Sequence, residues 1–195
     1  MKDIMKTYVY MVRHSHSPLI EGTERTRGLT DQGTLDASRM TELLRPESIE
    51  VFASSPYRRA ILTIQELAES AGQDIIVYED LKEQHFSSAT VRMPNDELLP
   101  LLRQCYADPT FALPDGESNA DCQRRAIAVL QELLTTYHGR KIAVGTHGAV
   151  MALMMGYYDP QYDLDFMLNT SKPDVYRMEF EGHQLLSVER LWHVN

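Results

Sequence analysis

The apolar run Thr7 to Val12 (TYVYMV) halts abruptly at Arg13-His14-Ser15-His16-Ser17-Pro18, and this constrains the whole chain. Aromatic, β-branched and aliphatic residues without polar alternation suit a strand buried on both faces. Such strands belong to parallel sheets covered by helices, whose ligands collect beyond the strands' carboxyl ends. A strand that delivers a fixed cation and an imidazole to that edge points to a site.

The pattern recurs along the chain. Ile49 to Ala53 reads as a second strand, ending in Ser54-Ser55-Pro56; Ile75 to Tyr78 as a third; Lys141 to Thr146 as a fourth, ending in His147-Gly148. Helical stripes separate them. Thr30 caps a helix to Leu44, closed by Pro46. Ser55-Pro56 predicts a helix start, with serine capping free N–H groups and Gly72 as the stop. Ser118-x-x-Asp121 resembles a capping box that opens a helix whose stripe runs through Leu134 to Tyr137, and a short apolar helix spans 148–156. Val175 to Phe180 and Gln184 to Leu191 flank a turn as a terminal hairpin. This alternation predicts an α/β fold: a three-layer α/β/α sandwich around a mostly parallel sheet, as one domain over 1–195. The proline-rich stretch 84–116, with one helix near 95–106, is expected to be a lid or substrate-specificity insertion.

Composition narrows the function. A net charge of −9, from 19 basic and 28 acidic residues, argues against nucleic acid or an anionic membrane as partner. Cys105 and Cys122 form neither a disulfide framework nor a metal-binding pair and read as buried, reduced thiols. His14 and His16 have no nearby cysteine or carboxylate to complete a ligand set, so no metal is expected. The apolar stretch before Arg13 is too short and too aromatic for a signal peptide, and no stretch reaches membrane-span length; a cytoplasmic protein is expected.

If strands one, two and four run parallel, their ends converge. Arg13 and His14, then Ser55 with Arg58 and Arg59 behind it, then Glu83 and His147, would face one crevice. Two histidines, two or three arginines and one carboxylate suit a phosphoryl group, since arginine forks and helix N-termini bind its oxygens. A neutral imidazole supplies a nucleophile. Arg58 has Ile61 and Leu62 one turn on, not a carboxylate, and reads as solvated. The acidic cluster Glu79, Asp80, Glu83 could equally be a solvated face, and Glu117 reads as support for a helix start. Arg25, Arg27, Arg92 and Arg103 are left as possible substrate contacts.

These residues resemble the histidine phosphatase, or phosphoglycerate mutase-like, superfamily. Val12-Arg13-His14 is similar to its Arg-His-Gly signature, Leu29-Thr30-Asp31-Gln32-Gly33 to Leu-Thr-x-x-Gly, and the stretch Ser54 to Thr63 to Ser-x-x-x-x-Arg-Ala-x-x-Thr, which singles out Arg59. Leu81-Lys82-Glu83, Gly116-Glu117-Ser118 and Thr146-His147-Gly148 match later motifs in order. The resemblance implies that His14 attacks phosphorus, that Arg13, Arg59 and a charged His147 hold the phosphoryl oxygens with Gly148 beside them, and that Glu83 is the proton donor. It implies no metal and no cofactor, and a small phosphorylated substrate. Ser15 and His16 replace the usual glycine and acidic or amide residue. The shorter span between acid and second histidine resembles the phosphatase branch. The alternatives are a phosphoglycerate mutase-type phosphotransferase and a non-catalytic phospholigand-binding module.

Overall fold

The computed structural model describes residues 5–19, 21–87 and 94–193. Strands β1 (Thr7–Arg13), β2 (Val51–Ser54), β3 (Ile75–Val77), β4 (Lys141–Thr146), β5 (Asp174–Glu181) and β6 (Gln184–Arg190) form one sheet in the order β3-β2-β4-β1-β5-β6. The β3–β2, β2–β4 and β4–β1 pairs are parallel, and the expected C-terminal hairpin adds β5 and β6 antiparallel to β1. The α-helices among the described residues are α1 (Asp31–Leu44), α2 (Arg58–Ser70), α3 (Asn95–Ala107), α4 (Asn119–Thr136), α5 (Gly148–Tyr158) and α6 (Leu164–Asn169).

The two-residue period of the strands sorts the core into two layers. Val9, Met11, Ala53, Ile142 and Val144 face α4 and α5, meeting Leu130, Leu133, Val150 and Met154. Tyr10, Val12, Phe52 and Ala143 face the other way, onto Met40 and Leu44 of α1 and Ile64 and Leu67 of α2. Both faces of the sheet are therefore covered, which is the three-layer arrangement the uninterrupted strand composition requires.

Register puts the polar strand ends on one edge. Arg13 lies opposite Thr146, and Ser54 opposite Gly145. The ladder runs one bond further on each side: His14 N–H donates to the Thr146 carbonyl (3.0 Å) and Ser55 N–H to the Gly145 carbonyl (2.9 Å). The loop after β1 is then pinned to α1. Thr30 caps that helix by accepting from Gly33 N–H (3.0 Å), while Thr30 N–H donates to the His16 carbonyl (3.0 Å). A Cβ on Gly33 would stand 2.1 Å from that carbonyl oxygen, so only glycine lets α1 approach so closely.

Some local expectations shift. Helix α2 starts at Arg58, three residues beyond Ser55, with Tyr57 as an N-cap that makes no side-chain bond. The Ser55 hydroxyl accepts locally from Tyr57 N–H (3.2 Å) and also pairs with His147. Helix α6 has no counterpart in the sequence pattern: its six residues carry too short a period to stand out, although Asp163 caps it by accepting from Phe166 N–H (3.1 Å). The Ser118 capping box is present, with Asp121 N–H donating to the Ser118 hydroxyl (3.1 Å). Cys105 and Cys122 are free and buried. Residues 88–93 of the expected insertion, Arg92 among them, lie outside the described residues. No described helix is long and apolar enough to cross a membrane.

Candidate active site

His14 projects from the end of β1 with a tautomer that its neighbours dictate. Nδ1 lies 2.7 Å from the Ser15 carbonyl, which can only accept, so Nδ1 carries the proton. Nε2 lies 3.1 Å from Arg59 Nε, which can only donate, so Nε2 holds a lone pair. Burial, then the Arg59 charge, push the His14 pKa well below 6.5, which keeps the ring neutral. The result is an imidazole whose basic nitrogen faces a guanidinium.

Arg59 comes from the first turn of α2 and is fully buried. Burial, then the nearby Arg27, lower its pKa to about 10, so it remains cationic at neutral pH. Its guanidinium lies over the Tyr57 ring, 4.9 Å from the centroid. Arg13 is held from the far side of the sheet, where its NH1 donates to the Thr170 carbonyl (2.8 Å) and to the Thr170 hydroxyl. A Cβ on Gly148 would lie 2.9 Å from Arg13 Cζ, so glycine there makes room for the guanidinium. Gly148→Ala is expected to displace Arg13 and lower kcat/KM for a phosphorylated substrate about tenfold to a hundredfold, with little change in the melting curve.

His147 follows β4 at the N-cap of α5 and packs edge-on to His14, with ring centroids 5.3 Å apart. Its Nε2 pairs with the Ser55 hydroxyl (2.7 Å). Burial, then the charge on Arg59, push its pKa well below 6.5, so the charged His147 expected from the sequence is not the form in the free site. The neutral ring still donates. The Ser55 hydroxyl can donate to Nε2 or accept from it; in the tautomer where it donates, the ring proton sits on Nδ1, which is buried without a partner among the described residues.

Glu83 reaches the same crevice from the turn after β3. Its Oε1 accepts from Gln84 N–H (3.0 Å) and from Val150 N–H (3.4 Å) in the first turn of α5. Burial raises its pKa, against the pull of Arg59 and Arg13. Arg125 buckles this turn to α4, with NH1 donating to the Asp80 (2.6 Å) and Lys82 (2.9 Å) carbonyls while Glu117 accepts from its other nitrogens.

Every sequence-derived candidate thus meets at one edge: Arg13, His14, Arg59, Glu83, His147 and Gly148. Arg58 is exposed, as expected. Arg25 pairs with Glu79 at the surface, Arg27 pairs with Glu24 (3.0 Å), and Arg103 is exposed. Ser55 sits at the edge as expected, but its bond to His147 was not foreseen, and Thr170 and Arg125 were missed, since each acts on a residue far away in the chain. Unpaired buried atoms gather here too. Arg13 Nε, Ser15 Oγ, Arg27 Nε, Thr146 Oγ1 and His147 Nδ1 lack hydrogen-bond partners among the described residues, and of such atoms only the Tyr158 hydroxyl lies elsewhere. Orphaned polar atoms are costly, and their concentration beside two arginines and two histidines marks a ligand site.

Comparison with known proteins agrees with this geometry. The sequence matches the histidine phosphatase superfamily (branch 1) over residues 9–191. It is 25% identical over 199 residues to "Putative phosphoserine phosphatase 2" of Hydrogenobacter thermophilus, covering 95% of this chain and 96% of that protein. It is 26% identical over 159 residues to the glucosyl-3-phosphoglycerate phosphatase of Mycolicibacterium vanbaalenii, covering 74% and 70%. In fold it is similar to YhfR of Bacillus stearothermophilus, with a TM-score of 0.76 at 21% identity over 92% of this chain and 94% of that one. With its match running from β1 to the residue after β6, the chain belongs to the histidine phosphatase superfamily, branch 1, as a phosphatase of that type.

Proposed function

We propose that the protein is a metal-independent phosphomonoester hydrolase that works through a phosphohistidine on His14 and acts on small phosphorylated metabolites. The observation that carries this reading is the unprotonated Nε2 of a neutral His14, which accepts from Arg59 Nε–H and lies among unpaired buried polar atoms. In the first step Nε2 attacks phosphorus, the bond to the ester oxygen breaks, and Glu83 protonates that oxygen. Arg13, Arg59 and the Nδ1–H of His147 take the growing charge on the phosphoryl oxygens, as positioned donors in a dry site do. In the second step Glu83 removes a proton from water, which attacks phosphorus and releases phosphate and free His14.

The segment 84–116 selects the substrate within one domain spanning the chain. Its α3 packs Leu102 against Ala149 and Ala152 of α5, beside Gly148, which supports that assignment. The names of the relatives support a phosphorylated small molecule. Two buried free thiols fit a reducing compartment such as the cytoplasm. Hydrolysis of p-nitrophenyl phosphate in excess EDTA tests the reading. Activity should be undiminished by the chelator, and phosphate should be released stoichiometrically with p-nitrophenol. Activity lost to EDTA and restored by a divalent ion would reject it.

A further inference from the structure

In the free protein the fork of Arg59 already holds an anion. Its NH2 donates to Glu24 Oε2 (3.1 Å), and its NH1 donates to the Glu24 backbone carbonyl. The same Oε2 accepts from Arg27 NH2 (3.0 Å), so one carboxylate oxygen bridges two guanidinium groups. A phosphoryl oxygen seeks the same surroundings. The third direction of Arg59, its Nε–H, covers the lone pair of His14. As it stands, the arrangement therefore masks the nucleophile.

We propose that Glu24 is a resident surrogate for the phosphoryl group, holding Arg59 and Arg27 until a phosphoryl dianion displaces it, and so setting how tightly phosphate is bound and how readily it leaves. The proposal rests on the phosphate-site reading above. Three observations support it. Arg59 and Arg27 are both largely buried and repel one another, and Glu24 offsets that repulsion. The Arg59 side chain is 1% exposed and cannot withdraw, whereas the Glu24 side chain is 44% exposed and lies in the loop between β1 and α1, so it can swing into water. Lastly, a carboxylate brings one negative charge and a phosphate dianion two, so the exchange favours the dianion in the field of two cations. A monoanion gains far less from the same exchange.

Calorimetric titration of inorganic phosphate into the wild-type protein, Glu24→Gln and Glu24→Ala tests this without relying on turnover. Glutamine keeps the length of the side chain and the backbone contact and replaces the charged carboxylate by a neutral amide. Both variants should bind phosphate about fivefold or more tightly than wild type, the gain expected from removing one competing ion pair. Their melting temperatures should fall below wild type without phosphate and recover when it is added. Equal or weaker phosphate binding in both variants, the outcome for a purely structural latch, would overturn the proposal while leaving the phosphate site standing. If none of the three proteins binds phosphate, the site reading itself fails and the surrogate falls with it.

Discussion

His14→Ala is expected to lower kcat for p-nitrophenyl phosphate by about ten thousandfold or more, the scale on which removing a covalent nucleophile usually falls. The same variant should still bind inorganic phosphate. Arg59 Nε donates to His14 Nε2 in the free protein, so deleting the ring releases a donor instead of removing one. Arg13 keeps its anchorage on Thr170, and His147 its bond to Ser55. Loss of turnover with retained phosphate affinity separates a nucleophile from a residue that merely holds the ligand. Activity within tenfold of wild type would remove His14 from the reaction.

Glu83→Gln should cost about a hundredfold to ten thousandfold in kcat, the range for a lost general acid–base group. The leaving group decides where in that range the loss falls. An alkyl phosphate such as phosphoserine expels a basic oxygen that needs the proton, so its first step should suffer most. p-Nitrophenyl phosphate expels a stable anion, so its first step should survive while the second, which needs a base for water, stalls. A burst of p-nitrophenol followed by slow turnover is the expected trace. The pH profile follows from the two shifts. Burial raises the Glu83 pKa, and activity should fall as pH rises through that value and the acid loses its proton. Burial and Arg59 push the His14 pKa well below 6.5, so the acid limb, where the nucleophile becomes protonated, is displaced downward. Wild type should peak on the acid side of neutrality, and Glu83→Gln should lose the alkaline limb. A variant that keeps that limb and only weakens phosphate binding would make Glu83 a binding residue.

The parts of the fold and site legible in the sequence were those with local causes. Unbroken apolar runs identified β1 and β4 as buried strands, and their polar ends identified Arg13, His14 and His147, because a strand that stops must stop at a sheet edge. The Thr30 and Ser118 caps were readable for the same reason, since a cap bonds within three residues. What escaped depends on partners distant in sequence. Ser55-Pro56 carries a local helix-start signal, and the Ser55 hydroxyl does accept from Tyr57 N–H, but its second bond, to His147, spans 92 positions. Thr170 holds Arg13 across 157 positions, and Arg125 reaches back 45 to the Asp80 carbonyl. The charge state of His147 also escaped, because burial beside two arginines is a property of the assembled crevice and not of the Thr-His-Gly motif.

Mapping the phosphoryl group in Glu83→Gln protein mixed with p-nitrophenyl phosphate and quenched in alkali tests the central claim most directly. The account requires one phosphoryl group per chain, on His14, stable to alkali and lost in acid, and absent when His14→Ala is added to the same background. Finding the group on Ser15 or His147, or finding none during the burst of p-nitrophenol, would contradict it.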